Sequence, residues 1–168
     1  IDYELLLGDY SEIERWISDG TVDFGFVRSP AKAGLETEFL AEDPLVAVLP
    51  ENHPLAKEAK FPASAFKDEP FILLERGEDS DVADILEKQG IKADIRFTTW
   101  DDYAIMSMVE NGLGISILPQ LILRSATYKI VNKPLDVPAY RKIGIALKDK
   151  KTASVAVKRF LEYLDYRN

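Results

Sequence analysis

The chain has 168 residues, with 21 Lys and Arg against 29 Asp and Glu and a formal net charge of −8. That sign is wrong for a nucleic-acid surface, which needs clustered Lys and Arg against phosphates. Cysteine is absent, which excludes a disulfide framework, a thiolate nucleophile and a Cys-ligated metal, and no apolar run approaches the roughly 20 residues of a membrane span.

Hydrophobic residues make up 46% and charged residues 30%, the balance of a globular chain with a sizeable core, in one domain or two small lobes. Ile1–Leu7 is apolar at Ile1, Tyr3, Leu5 and Leu7, which predicts a strand with one buried face. It starts with no lead-in and no secretory leader, as a segment cut from a longer protein would, and the cytoplasm is the expected compartment. Ser11-Glu12-Ile13-Glu14 fits a capping box. The helix it opens would bury Ile13, Trp16 and Ile17 and stop at Gly20. A strand over 22–27 follows, so the opening reads as strand–helix–strand, the unit of a parallel sheet.

Leu45–Leu49 reads as a strand closed by Pro50, and Glu51-Asn52-His53-Pro54 as a turn. Further strands are predicted over 71–74, 95–98, 115–118, 128–131 and 143–147. A helix over 80–89 would bury Val82, Ile85 and Leu86 and end at Gly90. A second capping box, Thr99-Trp100-Asp101-Asp102, would open a helix running to about Asn111. Val157, Phe160, Leu161 and Leu164 lie at helical spacing within a final helix over 152–166. The alternation of strands and helices gives an α/β fold, and the Pro-rich stretch 50–62 separates two groups of elements.

Little in the chain invites catalysis. His53 is the only histidine and sits in a turn, and no Gly-x-Ser-x-Gly elbow is present. Asp101-Asp102, and Asp79 with Asp81, are first-turn acids that complement a helix dipole. Gly112-Leu113-Gly114 lacks the third glycine of a dinucleotide fingerprint and follows a helix instead of a strand, so it is a helix stop. Trp16, Phe160 and Leu161 read as core. No metal or cofactor is implied.

Binding is a different matter. Arg28 stands at the carboxyl end of an apolar strand, where open α/β sheets take their ligands, and a guanidinium there suits a carboxylate or phosphate. Pairing with a protein carboxylate is the competing reading. Thr98, Thr99 and Trp100 stand at a helix start, where free N–H groups and two hydroxyls form an anion cradle, opposed by Asp101 and Asp102. Tyr10 and Ser11 hold the matching place before the first helix, with Ser11 either capping it or facing a ligand.

Three segments in order carry a resemblance. They are Gly20-Thr21-Val22-Asp23-Phe24-Gly25-Phe26-Val27-Arg28-Ser29-Pro30; then Leu45-Val46-Ala47-Val48-Leu49-Pro50 with His53-Pro54-Leu55-Ala56; and last Gly112-Leu113-Gly114-Ile115-Ser116-Ile117-Leu118-Pro119. Together they resemble the LysR-type transcriptional regulators, over almost the whole chain. The resemblance implies an effector-binding domain with the two-lobed, type 2 periplasmic-binding-protein-like fold and its two crossover segments. Lobe I would comprise 1–49 and 141–168, and lobe II 50–140. It also implies a small, anionic metabolite in the cleft, faced by Tyr10, Ser11, Arg28, Thr98, Thr99 and Trp100, with His53–Ala56 as a hinge-side turn. The family's first strand and helix would be missing here. DNA would be reached only through an absent N-terminal winged helix-turn-helix, in a homodimer or tetramer, with no membrane partner. A transporter solute-binding protein shares the fold and is the alternative.

Overall fold

The computed structural model describes residues 3–32, 34–75 and 80–165. The chain divides into two units, Ile1–Ala41 with Lys142–Asn168, and Glu42–Arg141. Both passages between them fall inside long strands, β2 (Glu36–Pro50) and β7 (Tyr140–Leu147).

In the first unit, the expected strand over 1–7 does not form. Ile1 and Asp2 lie outside the described residues, and residues 3–9 take no regular structure. Leu5 and Leu7 are 89% and 79% exposed. Alternation alone does not make a strand: its N–H and C=O groups need a neighbour, and none of the described strands pairs with this segment. Helix α1 (Tyr10–Asp19) follows, and its cap is Asp9 rather than Ser11. The Glu12 amide donates to Asp9 Oδ1 at 2.8 Å, and the Asp9 amide donates to Glu12 Oε2 at 3.0 Å. The same residues thus satisfy two orphan donors reciprocally, two residues earlier than the Ser11–Glu14 reading. Gly20 ends the helix at φ 84°, as its left-handed backbone requires.

Strand β1 (Gly25–Arg28) begins later than expected, because the Val22 amide folds back to donate to the Trp16 carbonyl at 3.2 Å. It runs antiparallel to β7, from Gly25 opposite Ala146 to Arg28 opposite Ile143, so the parallel strand–helix–strand expectation is corrected. Gly25 lets α1 lie close to the sheet, since a Cβ there would overlap Ile13. Ile17, Val27 and Ala146 are buried together on that side. Helix α5 (Val155–Asp165) buries Val157 and Leu161 against Ile145 and Leu147, and Phe160 stacks on Phe24 with ring centroids 4.8 Å apart. At about 1.5–3 kcal/mol per buried side chain, these contacts hold the helix on. Tyr166 lies outside the described residues.

The second unit is built on β2, β5 (Ile115–Pro119), β3 (Pro70–Leu74) and β4 (Asp94–Thr99), in that order, with β6 (Ile130–Pro134) also on β2. β5 and β6 are antiparallel to β2, whereas β3 is parallel to both β5 and β4. The run Leu45–Leu49 is apolar throughout because both sheet faces are covered. Leu45, Ala47 and Leu49 join Phe61, Phe66 and Phe71 beside α2 (Asp81–Lys88). Val46 and Val48 join Ile105, Met106 and Val109 of α3 (Asp102–Glu110). Gly114 is required where β5 enters, because a Cβ there would collide with the Pro70 carbonyl. The Gly-Leu-Gly motif is therefore a helix stop followed by a tight strand entry.

Several features lay beyond the sequence patterns. β2 starts at Glu36 and β7 at Tyr140, earlier than their apolar cores; β6 lies two residues later than expected. Short helical turns over Pro54–Lys57 and Ala63–Lys67 and the four-residue α4 (Gln120–Leu123) were not anticipated. The polar start of β2 holds the unit's central polar contact. Asp43 is fully buried; its Oδ1 accepts from the Leu121 amide at 2.9 Å, and its Oδ2 accepts from Arg141 Nε at 3.0 Å and lies 2.9 Å from Arg141 Nη2. Arg141 also lies 3.9 Å from Asp81 at the start of α2.

Removing the arginine leaves a carboxylate buried without its cation, at a cost of about 3–5 kcal/mol. Arg141→Ala should lower the urea midpoint accordingly with a nearly unchanged slope; an unchanged midpoint would show that the pair is energetically idle. At the far end of α1, Thr21 donates to the exposed Asp19 carboxylate from its hydroxyl (2.6 Å) and its amide (3.0 Å). These bonds, with Arg15 and Lys148, hold the Asp19 carboxyl below its usual range. The contribution is present above the ordinary carboxylate range and is lost as pH falls through the depressed value. Thr21→Val should move the Asp19 titration, followed by carboxyl NMR, back upward.

Candidate functional site

Arg28 closes β1, and the loop that leaves it returns to the start of α1. The Ser29 amide donates to the Lys142 carbonyl at 2.9 Å and the Ala31 amide to Thr37 Oγ1 at 3.1 Å. At Lys32 the loop meets the helix. Its amide donates to Glu14 Oε1 at 3.0 Å and its ammonium to Ser11 Oγ at 3.0 Å, with Glu14 Oε2 3.8 Å away. Tyr10, on the first helical turn, packs with Ala31 against the Ile17–Val27–Ala146 cluster. The loop after β1 is therefore tied to the first turns of α1 at Lys32, beside Ser11, with Tyr10 on the same helix. Arg28 ends β1 opposite Ile143, and alternation turns it to the face opposite Val27, which packs towards α1. Because Asp9 caps α1, the Ser11 hydroxyl is spared that task and engages Lys32 instead.

The sequence patterns missed Lys32 and Glu14. The Glu14 side chain is only 10% exposed, and a glutamate inside a surface helix gives no local sign of this. The one available cue is position: Glu14 follows Ile13 and precedes Trp16 and Ile17, at the edge of the apolar face.

In the second unit, Thr98 and Thr99 end β4, with Thr99 in register with Leu74 of β3. The Glu75 amide donates to the Thr99 carbonyl at 3.1 Å. Helix α3 begins two residues after Trp100, and Asp101 is its cap, accepting from the amides of Tyr103 (2.9 Å) and Ala104 (3.2 Å). Thr99 Oγ1 accepts from the Asp101 amide at 3.3 Å. The Thr99 capping box is thus corrected. Asp101 outcompetes threonine because its carboxylate both fills the orphan donors and complements the helix dipole. At this helix start the amides of Tyr103 and Ala104 face the Asp101 carboxylate, and Thr98, Thr99 and the exposed Trp100 belong to the strand end and the bend after it.

His53 is buried and structural. The Leu55 amide donates to Nδ1 at 3.0 Å, which assigns the ring proton to Nε2, 2.8 Å from Glu69 Oε2. Among the described residues no group of His, Asp or Glu is placed to hold a metal ion, and no helix is long and apolar enough to cross a membrane. Asp79 lies outside the described residues.

Comparison with known proteins agrees with this architecture. A family model described as the LysR substrate binding domain matches residues 1–167. The transcriptional regulator YvbU of Bacillus subtilis is 29% identical over 163 residues, 95% of this chain and 56% of YvbU. The transcriptional activator CmpR of Synechocystis is 28% identical over 173 residues, 98% of this chain and 56% of CmpR. The chain thus spans a little over half the length of these relatives. Among solved structures, the regulatory domain of CcmR from Synechocystis, in complex with 2-PG, superposes with a TM-score of 0.81 at 26% identity, covering 93% of this chain and 78% of that one. The chain belongs to the LysR family of substrate-binding, or effector-binding, domains and has their two-lobed, periplasmic-binding-protein-like α/β fold.

Proposed function

We propose that this domain senses a small anionic metabolite on behalf of a LysR-type transcriptional regulator, with Arg28 as the anchor of the anion. The position of Arg28 carries the reading: an arginine at the carboxyl end of β1, in a unit whose first helix is already capped by Asp9, which spares Ser11 and Tyr10 that task. A guanidinium offers paired donors to a carboxylate or phosphate. In the second unit, Thr98, Thr99 and the exposed Trp100 offer hydroxyls and an aromatic face, while the helix start after them is capped by Asp101. The 2-PG bound by the CcmR regulatory domain is an anchor-compatible probe.

A ligand shifts a conformational equilibrium only by its differential affinity for the two states. In the whole regulator, the effector would change the arrangement of the domain and so of an N-terminal winged helix-turn-helix, which alone would meet DNA. The setting is cytoplasmic, the assembly a homodimer or tetramer, and no membrane takes part. The role is sensing, not catalysis: the single histidine has both ring nitrogens engaged within its turn. Relatives named as transcriptional regulators favour this reading over a transporter solute-binding protein.

A thermal-shift screen against small carboxylates and phosphates, with 2-PG included, tests the proposal. A ligand at about 100 times its Kd adds about 2.7 kcal/mol, a rise of about 5–10 °C for a domain this size. The rise should vanish in Arg28→Ala. A hit of equal size in the variant would remove Arg28 from the site, and a screen with no hit would count against an anionic effector.

A further inference from the structure

We infer that Asn111–Gly112 is a latent deamidation site, held closed by the fold, whose reaction marks chains in which the turn between α3 and β5 has opened.

The pair of residues sets the chemistry, and Asn111 is the only asparagine in the chain followed by glycine. With no side chain to shield it, the Gly112 nitrogen can bond to Asn111 Cγ as the Cγ–Nδ2 bond breaks. Nδ2 leaves as ammonia, taking up the proton that the Gly112 amide loses. Water then opens the five-membered imide, giving aspartate or, where the main-chain carbonyl is attacked, isoaspartate. Water is the only other reactant, and Asn111, Gly112 and Leu113 are all exposed to it.

The fold restrains what the sequence leaves labile. Ring closure needs the Gly112 nitrogen to eclipse Asn111 Cβ about the Cα–C bond. At the ψ of 9° held here it nearly eclipses the residue's own nitrogen instead, with Cβ about a third of a turn away. Hydrogen bonds oppose that rotation. The Gly112 amide donates to the Val109 carbonyl at 2.9 Å and the Leu113 amide to the Met108 carbonyl at 3.0 Å, the paired bonds of a helix end closed by a left-handed glycine, here at φ 72°. Asn111 Nδ2 donates to the Ser107 carbonyl at 2.8 Å, so the leaving group is itself tied to the helix. Both sides of the turn are anchored: Ile105, Met106 and Val109 of α3 are buried, and Gly114 leads into the buried Ile115 against the Pro70 carbonyl. Reaction therefore waits on local opening and not on access to water.

The product fits the turn badly. A carboxylate at 111 has no proton to donate to the Ser107 carbonyl, and it adds negative charge beside Glu110 at the helix end that favours cations. Isoaspartate also lengthens the main chain just ahead of Gly114, whose close approach to Pro70 leaves no slack. The modification is thus a one-way record of opening.

The test compares the 168-residue chain folded and unfolded in urea near neutral pH, with deamidation at Asn111 followed by peptide mass spectrometry. The folded chain should react at least about tenfold more slowly. Urea below the unfolding midpoint should raise its rate in step with hydrogen exchange of the Gly112 amide. Gly114→Ala, which crowds the strand entry, should raise it without urea; if that variant does not fold, the urea series decides alone. Equal rates in the folded and unfolded chain, or no reaction in the unfolded one, would overturn the inference. So would a folded-state rate that stays fixed while Gly112 exchange rises.

Discussion

The second unit is organised around one carboxylate that cannot reach water. Asp43 is fully buried at the polar start of the strand that becomes the unit's centre, and its oxygens bind Arg141 on β7 and the Leu121 amide at the start of α4. A charge in such a place is tolerated only with good geometry on every lone pair. The requirement sets the path of β7 as it leaves the unit, turns the chain after Pro119, and holds the first turn of α2 near Arg141 through Asp81. The apolar core packs between elements whose ends this pair has aligned.

The first unit repeats the device at smaller scale. Glu14 is buried beneath the loop that follows β1, and Lys32 answers it from the loop. In both units a helix or strand carries an acid inward, and a basic residue distant in sequence closes over it. Asp43 meets an arginine nearly out of solvent, whereas Glu14 meets a lysine whose side chain faces solvent.

Elements whose signals lie within a few residues were readable from the chain alone. Ser80 caps α2, Gly90 and Gly112 take left-handed backbone after their helices, and Leu45–Leu49 is a doubly covered strand. Errors arose where two local patterns competed or where the deciding partner was remote. Asp9-x-x-Glu12 and Ser11-x-x-Glu14 both satisfy the capping-box spacing, and the carboxylate, the stronger acceptor, prevailed. At α3 the same preference put Asp101 ahead of Thr99. Residues 36–44 look unlike a strand because Glu36, Glu38, Glu42, Asp43 and Pro44 interrupt the apolar pattern, yet β2 runs through them beside the equally polar start of β7. Of the candidate site, the residue types were legible and their neighbours were not: Lys32 acquires its place from Glu14, 18 residues earlier.

The division of the chain has a consequence for synthesis. The second unit is a single contiguous stretch, Glu42–Arg141, whereas the first is split around it. Strand β1 pairs with β7, more than a hundred residues further on, and α5 comes later still. As the chain leaves the ribosome, the second unit can complete its sheet while the first still lacks the strand that β1 needs. Contacts of such separation form slowly, because the intervening loop must be closed before they reward it. The second unit shortens that loop by folding within it, bringing β2 and β7 together at its edge. The end of β1 that carries Arg28 would then be among the last parts of the molecule to be assembled.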